Sequence, residues 1–364
     1  MLLMTPASKT KHLVMPNAAI DLGFFQVKTA SGRGTSKSGS EILKDIFPSF
    51  APLIDEETRG LMSLSARTDS GVAVEVNGMS YFVGESSHRM FGSAGNTRAS
   101  NERYCLTPSY KALFLGALWQ IAKRHGVECS LNIKHLVLGL PLTTLVEHNG
   151  LVQEMARGTH VIPSPFSPTT SMKVTVEEAM VVAQPQGGIV SYANGEGRNL
   201  VKPQDDVLVL DMGGGTFDWF VCDGEFQPSY KVCGALPLGT LNCAAAILQS
   251  IKPTLANSPK AMNRVDMALR SNSGSFDLGG ESYEIDRFTK QVNALVSGAI
   301  EQMQTKVGEL GTLDHILLTG GGAGLLKRVC DEALKSSKKV IRMDPDPVYS
   351  NVDGFFIISE MATA

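Results

Sequence analysis

Two apolar runs, each closed by an aspartate and a glycine, form the strongest pattern along the chain. Val207-Leu208-Val209-Leu210 reads as a buried strand. Asp211-Met212-Gly213-Gly214-Gly215-Thr216-Phe217-Asp218 ends it, and Trp219-Phe220-Val221 reads as the returning strand. Ala18-Ala19-Ile20 followed by Asp21-Leu22-Gly23-Phe24-Phe25-Gln26-Val27-Lys28 repeats this design far upstream. A third glycine-rich tip, Leu317-Leu318-Thr319-Gly320-Gly321-Gly322-Ala323-Gly324, ends a strand and starts a helix.

The remaining pattern alternates strands and helices. Residues 72–76 and 79–83 alternate on both sides of Asn77-Gly78 and predict a hairpin. Leu113, Phe114, Ala117, Leu118 and Ile121 have helical spacing between a start signal at Thr107-Pro108 and a stop at Gly126. Residues 133–140 predict a buried strand, with a helix from Thr144. Residues 172–176 and 179–183 are extended, with Glu177-Glu178 as a solvated bulge or bend between them and 189–193 as a short helix after Gln184-Pro185-Gln186-Gly187-Gly188. Gly239-Thr240 introduces a helix from Leu241, and 286–308 predicts a long amphipathic one. Helix 325–334, a short strand at 340–342 and a last helix opening at Asn351-Val352-Asp353-Gly354 complete the chain. Composition marks Ser31 to Ser40 as a flexible loop; it misses the P-loop spacing because Ser36 stands where a glycine is required. Residues 252–285 show no pattern apart from a helix at 261–270.

Chemistry enters at the glycines. Three in succession lack the Cβ atoms that would hold a ligand away and allow positive φ, so several backbone N–H groups can converge on one anion. Asp211, at the strand end, is placed to hold a hydrated Mg²⁺, which takes carboxylate and phosphate oxygen while keeping several waters. The alternative is a glycine-rich hairpin with an aspartate for turn chemistry.

At 364 residues, 43% of them apolar, the chain is long enough for two cores. Net charge is −3 with Lys and Arg scattered, which excludes a broad basic face for direct duplex binding. The six cysteines form no C-x-x-C pair and the seven histidines no paired metal spacing. No apolar run reaches the roughly 18 residues of a membrane span, and the start lacks a signal-peptide core; a cytoplasmic protein without membrane contact is expected.

In chain order, the Asp21, Asp211 and Gly320 tips resemble the first phosphate, second phosphate and adenosine motifs of the actin, Hsp70 and sugar-kinase superfamily, over nearly the whole chain. Leu140-Pro141-Leu142-Thr143 and the Asn351 to Gly354 element are similar to those of plasmid-segregation actins of the ParM/StbA type. The resemblance implies an α/β, two-domain actin-like (ribonuclease H-like) ATPase fold with a nucleotide cleft between the domains. Its expected parts are a flexible N-terminus at 1–16, domain I at 17–185 plus 336–364, and domain II at 186–335. It implies ATP or GTP with Mg²⁺, held by Asp21, Gly23, Phe24, Phe25 and Lys28 at the first tip, Gly213 to Thr216 at the second, and Gly239, Gly320, Gly321, Gly322 and Ala323 beside them. Asp21 and Asp211 would hold the metal through water. Gln184 would orient the attacking water, with Gln186 or Glu178 as substitutes, in a reaction that rests on positioning and charge stabilisation. Gly239 is otherwise helix-start chemistry, and Arg287 and Lys290 on the long helix are nucleotide contacts or a solvated face. Phe24 and Phe25 stand where relatives commonly have Ser or Thr. That departure bears on hydrolysis rate more than on binding, and at least one of the two rings is a core residue. The implied function is ATP-driven head-to-tail filament assembly that moves plasmid DNA through an adaptor bound to centromere DNA. The alternatives are a nucleotide-binding scaffold with little hydrolysis and a small-molecule kinase of the same superfamily. An Hsp70 chaperone would need a peptide-binding domain, and the chain ends about 40 residues past its third tip.

Overall fold

Residues 10–36, 39–55, 57–58, 70–91, 103–195, 197–271, 273–334 and 341–363 are described by a computed structural model. The expectations for residues 1–9, for Lys37 and Ser38 and for Val340 lie outside them. The chain divides into two compact units, one of Met1–Leu140, Glu147–Val182 and Phe355–Ala364, the other of Pro141–Val146 and Ala183–Gly354.

The first unit is built on strands β1 (Thr10–Leu22), β2 (Gln26–Ser36) and β3 (Gly39–Pro48), joined as an antiparallel meander. A separate hairpin of β4 (Val72–Val76) and β5 (Met79–Val83) follows, then helices α1 (Ser87–Phe91) and α2 (Pro108–Arg124). Strand β6 (Val127–Leu140) lies parallel to β1; after helix α3 (Leu142–Ala156), β7 (Gly158–Ser164) and β8 (Ser167–Ala183) complete a sheet of order β3-β2-β1-β6-β8-β7. The Asn77-Gly78 turn has positive φ at both residues, 52° and 75°, as a two-residue hairpin demands. Thr107 caps α2 by accepting from Tyr110 N, with Pro108 at the first helical position.

The second unit repeats the plan. Helix α4 (Gln184–Asn194) precedes the antiparallel meander β9 (Asp206–Met212), β10 (Phe217–Asp223) and β11 (Gly234–Leu236). Helices α5 (Thr240–Ile251) and α6 (Pro259–Ser271), the hairpin β12 (Ser275–Leu278) and β13 (Glu281–Glu284), and helix α7 (Thr289–Val307) lead to β14 (His315–Thr319), parallel to β9. Helix α8 (Ala323–Ala333), β15 (Ile341–Met343) and helix α9 (Ser350–Met361) follow, and the sheet order is β11-β10-β9-β14-β15. In both sheets the first strand of a meander is flanked on its other edge by a parallel strand. Leu208, Leu210, Trp219, Ile316 and Leu318 pack with residues of α5 to α8, while Val207, Val209, Phe220 and Leu317 pack with Ile189 and Tyr192 of α4. A strand covered on both faces has no polar side, which is why 207–210 is apolar at every position.

Several sequence expectations are corrected. Residues 10–16, expected loose, pair with β6 from Thr10 onward. The flexible loop expected at 31–40 is corrected where it is described: Arg33 to Ser36 pair with Gly39 to Ile42, with a register shift between Ala30 and Arg33, near Gly32 at φ 79°. Glu177 and Glu178 are exposed as expected and the inside-outside alternation slips there, but strand β8 runs through them unbroken. The helix expected at 189–193 begins five residues earlier, at Gln184. The unpatterned 252–285 segment contains a hairpin whose Phe276 and Leu278 join the core. Residues 341–343 pair with β14 and therefore sit in the second unit's sheet, where the domain expectation had placed them with the first.

Candidate functional site

Asp211 is the centre of the second unit's site. It ends β9, is 4% exposed, and accepts a hydrogen bond at 2.7 Å from Asn351 Nδ2 in the first turn of α9. Its other oxygen lies where Gly320, at φ +82°, would carry a side chain: a Cβ there would be 2.1 Å from Asp211 Oδ1. Only glycine permits this approach. After Asp211 the chain turns tightly, with Gly213 N donating to Thr216 O at 2.9 Å, so the amides of Gly214, Gly215 and Thr216 are not spent on that bond. Thr240 N and Leu241 N donate to the carbonyls of Gly213 and Gly214, which seats the start of α5 on this tip. Gly239 is required by that seating, since a Cβ would stand 2.4 Å from Gly214 C. Gly322 N donates to Met212 O at 2.8 Å, bringing the third tip and the Ala323 helix start alongside.

Asp218 lies opposite Asp211 in the β9/β10 register and is 1% exposed. Leu142 N at the start of α3 donates to it at 2.9 Å. Burial, and then the neighbouring Asp211 charge, push its carboxyl up to about 7, opposed by the bonds from Leu142 and Thr216. Gln184 is buried at the start of α4. One turn on, a Cβ at Gly188 would sit 3.0 Å from Thr319 Cγ2 and 3.4 Å from Asn351 Oδ1. Thr319 Oγ1 and Asn351 Oδ1 are buried polar atoms without a hydrogen-bond partner.

The second unit thus brings together Asp211, Gly213 to Thr216, Gly239 and Gly320 to Ala323, with Gln184 heading the helix that reaches Thr319 and Asn351. Sequence reasoning did not assign Asn351, Thr319, Asp218 or Arg270 a place here. Asn351 is 140 residues from Asp211, and only the motif ending Asp-x-Gly-Gly-Gly-Thr-Phe-Asp could have pointed to Asp218.

The first tip belongs to the other unit. Asp21 is 1% exposed and receives Lys28 Nζ at 2.8 Å, so the lysine neutralises the aspartate beneath the tip. Ser49 Oγ donates to Gly23 O and Ser49 N to Phe25 O, fixing the turn. Phe25 is a core residue, and Phe24 packs on Tyr104 with ring centroids 5.0 Å apart. Glu178, a substitute for Gln184, is a strand residue facing His135 at 3.2 Å. Arg287 and Lys290 are exposed.

A nucleotide with Mg²⁺ suits the residues of the second unit. The glycine tips leave the space that Cβ atoms would fill, two orphaned oxygens adjoin the aspartate, and a magnesium ion that keeps its waters needs few protein ligands. Among the described residues no three His, Cys, Asp or Glu side chains group as a metal site, and no helix is long and apolar enough to cross a membrane.

Sequence families agree with this fold. Residues 19–187 match the actin-like protein N-terminal domain, and residues 209–332 match the C-terminal part of the archaeal MreB-like actin homologues. The chain belongs to the actin-like proteins, with their two-domain α/β fold. Solved structures of actin-like proteins, ParM among them, share this fold. The chain is similar to the 15-stranded ParM filament from Clostridium botulinum, with 18% identity, TM-score 0.67 and coverage of 97% of this chain and 100% of that one. It is also similar to the actin-like protein Alp7A, with 16% identity, TM-score 0.71 and coverage of 96% and 97%. An archaeal actin homologue in complex with ADP matches at 17% identity and TM-score 0.65, covering 96% and 99%. No curated protein matches the chain in sequence.

Proposed function

We propose that the chain is a filament-forming actin-like ATPase that assembles head to tail with ATP and segregates plasmid DNA in the cytoplasm through a centromere-bound adaptor. The observation that carries this reading is the buried Asp211 at a glycine tip, with Asn351 and Gly320 set against it, on a fold shared with ParM. Gly214, Gly215 and Thr216 would receive phosphate, Gly320 to Ala323 the nucleoside, and Asp211 the hydrated Mg²⁺. Bound magnesium would neutralise charge on the phosphate oxygens. The Gln184 amide orients a water but takes no proton, which suits a reaction driven by positioning. Asp21 and Lys28 support a phosphate contact of the first unit through the backbone around Gly23. The head-to-tail contact of such filaments is heterologous and does not close, so growth continues. The scattered basic residues favour an adaptor over direct DNA contact.

One feature favours a second reading, a nucleotide-bound scaffold with little turnover. Phe24 and Phe25 bring no hydroxyl to the first tip, and both rings are engaged in packing. Sedimentation with ATP, ADP or no nucleotide, with phosphate release followed in the same samples, separates the two. ATP-dependent pelleting with phosphate release supports the ATPase, and pelleting without release supports the scaffold. Absence of pelleting with every nucleotide overturns filament formation. Gln184→Ala is expected to pellet normally and release phosphate at least tenfold more slowly; an unchanged rate moves the water-orienting role to Gln186.

A further inference from the structure

The guanidinium of Arg270 lies against Gly321 so closely that a Cβ at Gly321 would be 1.8 Å from one of its terminal nitrogens. Arg270 Nε donates to Asp266 Oδ2 at 2.7 Å, Arg270 Nη2 donates to Thr240 Oγ1 at 2.9 Å, and the Thr240 hydroxyl donates to Asp266 Oδ1. Thr240 and Asp266 are 0% exposed. With the carboxylate fully buried and the guanidinium partly so, such an ion pair adds little stability over an apolar pair of equal size, so its value lies in the geometry it imposes. That geometry joins two of the tips. Thr240 is bonded through its own N–H to Gly213 O, while the other end of the fork covers Gly321.

We propose that Thr240, Asp266 and Arg270 form a positioning triad that sets the spacing between the Gly213–Thr216 tip and the Gly320–Gly322 tip. The phosphates and the nucleoside of one nucleotide are then held at a fixed separation. The inference rests on the nucleotide reading of these tips. Arginine suits the task because its planar fork makes divergent bonds at fixed angles, which a lysine ammonium on a flexible stem does not. The triad touches neither reacting atoms nor metal in this role. It acts through the two tips.

The test compares Mg·ATP with Mg·tripolyphosphate, a ligand that occupies the phosphate tip alone. Affinities are measured calorimetrically on the full chain for wild type, Arg270→Lys and Thr240→Val. In both variants ATP is expected to bind about tenfold or more weakly, the loss of a charge-assisted hydrogen bond, while tripolyphosphate changes less than about twofold. Equal weakening for both ligands, unchanged ATP affinity, or a wild type that binds ATP but not tripolyphosphate overturns the triad's role. A wild type that binds neither ligand overturns the nucleotide reading and the triad with it. A second pair guards against misfolded variants. Gly321→Ala alone is expected to weaken ATP binding because its methyl group collides with Arg270. Added to Arg270→Ala, it should cost less than it does alone, and an equal cost in both backgrounds overturns the contact. Wild-type affinity in Gly321→Ala overturns the contact.

Discussion

Asn351 gives Asp211 a charge-assisted hydrogen bond in a nearly waterless setting, and that contact orients the carboxylate. Replacing Asn351 with alanine leaves the aspartate buried without its amide, and the expected result is about tenfold weaker Mg·ATP binding by calorimetry. Asn351→Asp places a second carboxylate there and should bind more weakly still. Asp218 makes a different prediction. Its folded carboxyl titrates at about 7 against 3.8 for the ordinary group, so between those values the unfolded chain ionises and the folded chain does not. Wild-type stability without nucleotide therefore falls as pH rises from about 4 to about 7 and levels off above, by an amount on the order of 4 kcal/mol. Asp218→Asn keeps an acceptor for Leu142 N and should flatten this slope in denaturant titrations at pH 4.5, 6 and 8. An unchanged slope would show that Asp218 ionises normally.

Among the elements, helix starts define the site: α5 on the Gly213 tip, α8 after Gly322, α9 at Asn351, and α4 at Gln184. Two of these helices meet at a pair of glycines, where a Cβ on Gly354 would lie 1.8 Å from Gly187 O. Gly354→Ala must push α9 from α4, and a loss of about 2 to 3 kcal/mol in chemical denaturation is expected. Gly298, inside α7, has open space around its missing Cβ, so Gly298→Ala should stabilise by about 0.5 to 1 kcal/mol through helix propensity. Equal effects from the two substitutions would contradict the packing described for Gly354. Helix α2, the Asn77-Gly78 hairpin and the tip strands were legible because their signals are local: a cap, a left-handed turn, an apolar run. The β2/β3 pairing was not, because Ser, Thr and Gly in 31–36 carry a loop composition and the strand forms only by docking on β3.

At the scale of the whole molecule, two units carry the same sheet plan, and in the proposed reading nucleotide binds the folded chain alone. Binding must then raise stability by mass action, about 2.7 kcal/mol at one hundred times Kd. Mg·ATP should accordingly raise the Tm of wild type, less so once the metal is chelated, and leave Asp211→Ala unmoved in differential scanning fluorimetry. A shift retained in Asp211→Ala would remove that residue from the site. The amino-acid sequence by itself determined the two aspartate-tipped hairpins, the third glycine tip and the apolar strands beneath them, because each follows from the steric limits and burial of residues adjacent in the chain. Only the tertiary structure decided that Asn351 meets Asp211, that Leu142 meets Asp218, that Arg270 lies on Gly321, and that 341–343 extend the second sheet. Those partners are separated by tens of residues or more, and nothing in the local preference of either one specifies the other; packing of the helices and sheet brings them together.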